Sequence, residues 1–100
     1  MQVFKFGGAS VKDADGIRNL YRIISGERGD LVIVVSAFGK TTNSLEKVLK
    51  AWMASDASWK GFLEEIYSYH KAVIDNLYPG KNNSYGTIDI HFARLRDYLL

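Results

Sequence analysis

An uninterrupted apolar run at residues 31–35 (LVIVV) constrains the fold of this chain more than any other feature. Its residues are mostly β-branched, and such residues favour an extended backbone. A continuous apolar run is typical of a strand covered on both faces, as in a parallel sheet. A shorter β-favouring run, residues 3–6 (VFKF), precedes it and stops at two glycines. The sequence therefore predicts two strands, the second buried on both sides.

The segment between the two runs has the periodicity of one amphipathic helix. Its apolar residues are spaced i, i+3, i+4 and i+7: Ile17, Leu20, Tyr21 and Ile24. Ser10 and Asp13 are alternative caps for its start, and Gly26 and Gly29 end it. Strand, helix and strand at this spacing predict a βαβ unit with a right-handed crossover and parallel strands.

Three more helices are predicted in the rest of the chain. The first starts near Asn43, which with Glu46 three residues later resembles a capping box. The second begins at Trp59, has its last apolar-face residue at Leu77, and is ended by Pro79-Gly80. Residues 81–84 form a loop, and the last helix continues to the end without a stop signal. The order β-α-β-α-α-α predicts an α/β fold. We expect a βαβ unit at 1–42, a helical segment at 43–100, and a longer protein of which this chain is the N-terminal part.

Composition excludes several classes of protein. The net charge is +2 and the basic residues are scattered, so no nucleic-acid or membrane patch is predicted. The absence of cysteine excludes disulfides and thiolate metal sites. No apolar run approaches the roughly 18 residues of a membrane span, and no signal peptide is evident, which predicts a cytoplasmic location. The carboxylates have no metal-site spacing, so no metal ligands are assigned.

The first glycine loop is a candidate anion site. Ligands of parallel α/β units bind beyond the carboxyl ends of the strands, so we expect the two strand-end loops to be neighbours. Gly7 and Gly8 let the backbone approach an anion closely, and their N–H groups with Lys5 could bind it. Phosphoryl transfer depends on such positioning and charge stabilisation. The alternative is a tight turn in which the glycines serve geometry alone.

The second loop, residues 36–43, offers hydroxyl and amide side chains at a helix start. These groups could hold a carboxylate or phosphate, and simple helix capping is the alternative. The Gly39-Lys40 pair is not part of a P-loop, because that motif needs a glycine where this chain has Val34.

Two blocks of the sequence resemble one family. Residues 5–11 (KFGGASV) resemble the KFGG[TAS]SV opening of aspartate kinases, with Ala9 where threonine is commoner. Residues 34–45 (VVSAFGKTTNSL) look like their VVSAMGKTT[DN]xL element. The resemblance implies the three-layer fold of the amino-acid kinase family. It also implies ATP- and Mg²⁺-dependent phosphorylation of L-aspartate to 4-phospho-L-aspartate, the first step of lysine, threonine and methionine synthesis.

The resemblance also implies roles for individual residues. Lys5 would be catalytic, binding the transferring phosphoryl group. The other site residues fall into two groups: Gly7, Gly8 and Ser10 for the ATP phosphates, and Ser36, Ala37 and Thr42 for the substrate. The rest of the kinase domain and the ACT regulatory domains of the family lie outside these 100 residues. We therefore expect the chain to be inactive alone and to self-associate through uncovered apolar surfaces as a homo-oligomer.

Two other functions stay open from the residues. One is a different amino-acid kinase, acting on glutamate or a related acid. The other is a small anion-binding or interaction module whose glycine loop performs no catalysis.

Overall fold

A computed structural model describes residues 1–80 and 85–100 of the chain. Its elements are β1 (Gln2–Phe6), α1 (Ala14–Ser25), β2 (Leu31–Val35), α2 (Thr41–Met53), α3 (Trp59–Leu77) and α4 (Tyr85–Leu99). This mixed α/β order confirms the predicted one. The predicted loop at 81–84 lies outside the described residues. Contacts divide the chain into two compact units, Met1–Thr41 and Thr42–Leu100.

The first unit is built on a parallel pair of strands. β1 pairs with β2 in a register that runs from Gln2 opposite Leu31 to Phe6 opposite Val35. The amide of Gln2 extends the pairing by donating to the carbonyl of Asp30 at 3.1 Å. The predicted parallel βαβ unit is therefore confirmed, and both strands end at the same edge of the sheet.

The start of α1 distinguishes the two predicted caps. Asp13 is the N-cap, and its Oδ1 accepts a hydrogen bond of 2.8 Å from the amide of Gly16. Ser10 is wrong as a cap, because it lies in the preceding turn, where its amide donates to the carbonyl of Gly7 at 3.0 Å. A Cβ on Gly16 would collide with the Ser10 carbonyl oxygen. A glycine at this position thus lets the turn pack against the first turn of the helix.

The core of the first unit is small. Phe6 from the end of β1, Val11 from the following turn and Ala14 from the start of α1 are buried. These residues lie on both sides of the glycine loop, so the loop is anchored at each end by apolar burial.

The prediction that β2 is covered on both faces is wrong for the described residues. Val32, Val34 and Val35 expose 42%, 48% and 50% of their surface. Among residues 1–80 and 85–100 the sheet has two strands, and the single helix α1 cannot cover both of its faces. β2 is therefore hydrogen-bonded to β1, but no packed helices bury its two faces as they usually do for parallel strands.

The second unit is helical. Its core contains Val48, Ala51, Trp59, Leu63 and Ile66, with Phe62, Phe92, Leu95 and Leu99 packed against it. Trp52 Nε1 donates to the Leu99 carbonyl at 2.7 Å and links α2 to the end of α4. Helices α2, α3 and α4 therefore share one apolar core.

The connection from α2 to α3 is a tight backbone motif. Ser55 has φ 55°, the left-handed region. Its amide donates to Trp52 O at 3.1 Å, and the next amide, of Asp56, donates to Ala51 O at 2.8 Å. This pair of bonds is a Schellman motif, in which glycine usually occupies the left-handed position. Asp56 Oδ1 then accepts from the amide and the hydroxyl of Ser58, at 2.9 and 2.7 Å, just before α3.

Candidate active site

The two strand-end loops are in direct contact. The amide of Gly39, in the loop after β2, donates to the carbonyl of Gly8, in the loop after β1, at 3.2 Å. At the base of the loops the Ser36 amide donates to Phe6 O at 2.9 Å, which continues the strand pairing by one residue. The prediction that the loops are neighbours is therefore confirmed.

Gly8 is the position where the loops approach most closely. A Cβ built on Gly8 would collide with the carbonyl oxygen of Gly39 and would lie 3.5 Å from that of Ala37. Gly39 itself has φ 54°, in the left-handed region that glycine adopts without a steric cost. Both glycines are therefore required by the junction, one for space and one for backbone conformation.

The first loop is a turn with unused amides. The amides of Ser10 and Val11 close it by donating to the carbonyls of Gly7 and Gly8, at 3.0 and 3.2 Å. Within residues 1–80 and 85–100, neither glycine amide donates a loop hydrogen bond. Nothing lies within 4 Å of a Cβ built on Gly7, which is exposed. The two glycine amides thus make no hydrogen bond within the loop, and backbone amides of this kind can bind anions.

Lys5 adds a positive charge next to this turn. It precedes Phe6 and Gly7 at the end of β1, lies opposite Val34 in the register, and is exposed. Phe4 and Phe6 lie on either side of it in sequence and stack with ring centroids 6.2 Å apart. Because side chains alternate along a strand, Lys5 is on the face opposite these two rings.

The second loop has a buried hydroxyl that already forms a hydrogen bond within the loop. Thr41 is buried, and both its Oγ1 and its amide donate to the carbonyl of Phe38, at 2.6 and 3.0 Å. Helix α2 starts at Thr41, so Asn43 lies in its first turn and the predicted cap at Asn43 is wrong. Ser36 and Ala37 are exposed beyond the end of β2. The sequence analysis did not predict that Gly39 adopts a left-handed conformation or that Thr41 closes its own loop. The Gly39-Lys40-Thr41 triplet was the feature of the sequence that could have indicated both roles.

Comparison with known proteins assigns the family. Residues 1–78 match the profile of the amino acid kinase family, and they include both loops. The chain belongs to the amino acid kinase family. No solved structure matches this family member.

A curated relative of this amino acid kinase chain is the bifunctional aspartokinase/homoserine dehydrogenase 2, chloroplastic, of Arabidopsis thaliana. The two are 29% identical over 79 residues, which cover 78% of this chain. The match spans 9% of the length of that relative.

The predicted site residues of this family member fall in both units. Lys5, Gly7, Gly8, Ser10, Ser36 and Ala37 belong to the first unit. Thr42 is exposed, is the second residue of α2, and belongs to the other unit. The contact of Thr42 with a substrate stays a prediction, as do the ligand roles of the other six residues.

The groups at the first loop are of the chemical kind that binds anions. The loop amides and Lys5 are donors and a cation, which suit phosphate oxygens. In the part of the chain that the structure describes, no three His, Cys, Asp or Glu residues are grouped so that they could hold a metal.

Among the same described residues, no helix has the length and apolar character needed to cross a bilayer.

Proposed function

We propose that this chain carries the phosphate-binding loops of an aspartate kinase. The reaction transfers the γ-phosphoryl group of ATP to the side-chain carboxylate of L-aspartate and yields 4-phospho-L-aspartate and ADP. This acyl phosphate is the starting point of lysine, threonine and methionine synthesis. The cytoplasmic location predicted from the sequence is part of the same proposal.

One observation carries the proposal, the hydrogen bond from the Gly39 amide to the Gly8 carbonyl. It holds the loop with the KFGG motif against the loop with the SAFGKTT motif at the carboxyl edge of the strands. Family membership supports a phosphotransferase, and both motifs together favour aspartate as the acceptor. The printed name of the plant relative, an aspartokinase, supports the same substrate.

The chemistry follows from the charges at this edge. A carboxylate oxygen of aspartate attacks the γ-phosphorus, and the bond from that phosphorus to the β–γ bridging oxygen breaks. ADP leaves with the electron pair of the broken bond. Negative charge spreads over the transferring group, and catalysis consists mainly of stabilising this charge and aligning the reactants. Lys5 would offset the charge, and the amides of Gly7 and Gly8 would hold the phosphate oxygens. Mg²⁺ would enter bound to ATP.

A kinetic experiment on Lys5 tests the proposal. The complete polypeptide that contains this chain should convert aspartate and ATP to ADP and an acyl phosphate, which hydroxylamine traps as a hydroxamate. Lys5→Ala should lower kcat by about 100-fold or more, as loss of a group that stabilises transition-state charge does. The matched control is Lys50→Ala, because Lys50 is an exposed lysine in the last turn of α2. Near-normal turnover by Lys5→Ala would remove Lys5 from catalysis.

A panel of acceptors separates this proposal from a different amino-acid kinase. Aspartate, glutamate, N-acetylglutamate, carbamate and uridylate should be compared by kcat/KM. Aspartate should be preferred, and a stronger preference for any other acceptor would replace the assignment. A polypeptide that phosphorylates none of them while binding phosphate anions would instead be a binding module.

A further inference from the structure

The positive charge of Lys40 has no place in the function proposed above, although Lys40 lies at the junction of the two loops. It directly follows Gly39. The Gly39 amide donates to the Gly8 carbonyl, and a Cβ on Gly8 would collide with the Gly39 carbonyl oxygen. It directly precedes Thr41, whose hydroxyl and amide bind the Phe38 carbonyl. The backbone of Lys40 is therefore held on both sides, in the turn that touches the glycine loop.

The Lys40 side chain is available for a ligand. It is exposed, and no described residue forms a salt bridge or a hydrogen bond with it. Residues 36–40 contain no acid, and the only acid of residues 7–13 is Asp13, which caps α1. Lys12, the other lysine beside the loops, already has an interaction within the chain. No carboxylate of either loop therefore neutralises Lys40.

We propose that Lys40 is a second phosphate-binding cation of the site, which contacts the polyphosphate chain of the nucleotide. This inference rests on the proposed kinase function and adds a residue to it. A nucleoside triphosphate carries several negative charges, and a single lysine with two glycine amides would offset only part of them. Lys5 at the end of β1 and Lys40 in the loop after β2 reach the same edge from different strands. A phosphate chain lying over the Gly8–Gly39 contact would then have a cation on each side.

The test compares three variants of the complete polypeptide. Lys40→Gln removes the charge, and Lys40→Arg retains it. Arg28→Gln is the control, because Arg28 is exposed in the α1–β2 connection, at the opposite edge of the same sheet. It removes one positive charge from the same unit without touching either loop.

We expect Lys40→Gln to lower kcat/KM for MgATP by about tenfold, the effect of roughly 1.4 kcal/mol. Lys40→Arg should retain most of the activity, and Arg28→Gln should match the wild type. The KM for aspartate should change by less than about twofold, since uniform loss of phosphate binding does not alter the acceptor site. The KM for MgATP of Lys40→Gln should also rise less steeply with salt than that of the wild type, because one screened charge is gone.

Three results would overturn the inference about Lys40. The first is a kcat/KM for MgATP within twofold of the wild type in Lys40→Gln. The second is a loss that appears in the KM for aspartate instead, which would make Lys40 a carboxylate ligand. The third is an equal loss in Arg28→Gln, which would indicate a non-local charge effect.

The failure of the proposed function has a different signature. In that case the wild type phosphorylates no acceptor of the panel. Calorimetric binding of inorganic tripolyphosphate then decides the role of Lys40 independently of turnover. We expect weaker binding to Lys40→Gln than to the wild type, and equal affinities would refute a phosphate contact.

Discussion

At Gly8 the absence of a Cβ decides whether the two loops can touch. Gly7 and Gly8 look equivalent in the sequence, yet their surroundings differ. A side chain on Gly8 meets the backbone of Gly39, whereas one on Gly7 meets open space. The backbone of Gly39 cannot move aside as a flexible side chain could, so the steric cost at Gly8 has no easy relief.

Alanine should therefore destabilise the protein much more at Gly8 than at Gly7. Gly8→Ala should lower the free energy of unfolding of the first unit by about 2 kcal/mol or more. Gly7→Ala should change it by less than about 1 kcal/mol. Hydrogen exchange of the Ser36 amide measures the effect, since that amide bonds to Phe6 at the strand ends. Equal protection in both variants would show that the loop contact tolerates a Cβ.

Asp56 is a residue whose ionisation contributes to folding. The hydrogen bonds from the amide and the hydroxyl of Ser58 lower the pKa of Asp56 below its ordinary value of 3.8. A pKa that is lower in the folded state stabilises the fold above the unfolded pKa, and this contribution is lost as the pH falls through the folded pKa.

Asp56→Asn should reveal this dependence. The asparagine keeps an oxygen that can accept from Ser58 but carries no charge. The variant should melt below the wild type at pH 6, and the difference should narrow as the pH falls below 3.8. Thermal melting at a series of pH values measures it. A difference that stays constant with pH would assign the effect to geometry and not to charge.

At the scale of elements, the connection between α2 and α3 contains a residue in an unfavourable conformation. Ser55 occupies the left-handed position of a Schellman motif. A residue with a Cβ is less stable there than glycine by about 1 kcal/mol.

Ser55→Gly should therefore stabilise the helical unit by roughly 0.5–1 kcal/mol and raise its Tm by a few degrees. Ser55→Ala is the matched control, because it removes the hydroxyl and keeps the Cβ. Thermal melting followed by Trp fluorescence reports on this unit, since both tryptophans, Trp52 and Trp59, lie in it. A gain of the same size in Ser55→Ala would assign the effect to the hydroxyl instead.

At the scale of the whole molecule, apolar strand surface remains uncovered. Valines of β2 are about half exposed, and the sheet has two strands in the part of the chain that the structure describes. Exposed apolar strands pair with other chains, so we expect the 100-residue chain to self-associate.

Val32→Lys should weaken this association, because a charge on the strand must lose its hydration in a paired sheet. Val32 lies opposite Val3, near the start of the strands and away from the loops. Tyr98→Lys, at an exposed aromatic position on α4, is the control. Light scattering across concentrations measures the mass, with circular dichroism to verify folding. A wild type that stays monomeric at all concentrations would contradict the expectation.

The sequence by itself determined the order of the elements, the parallel pairing and the meeting of the two loops. These follow from signals local to each segment: the apolar run of β2, the periodicity of α1 and the glycines after each strand. Two strands joined by one helix pair in parallel, and their ends then share an edge. The family motifs could be identified for the same reason, since each is a short contiguous block.

Only the tertiary structure decided which of several similar residues has a particular role. Asp13 and not Ser10 caps α1, Gly8 and not Gly7 meets Gly39, and Thr41 directs its hydroxyl to its own loop. The exposure of β2 could not be predicted from the sequence either. The apolar character of a strand does not show whether other elements pack against it. Such outcomes depend on which atoms from distant segments come within a few ångströms, and no local pattern encodes that distance.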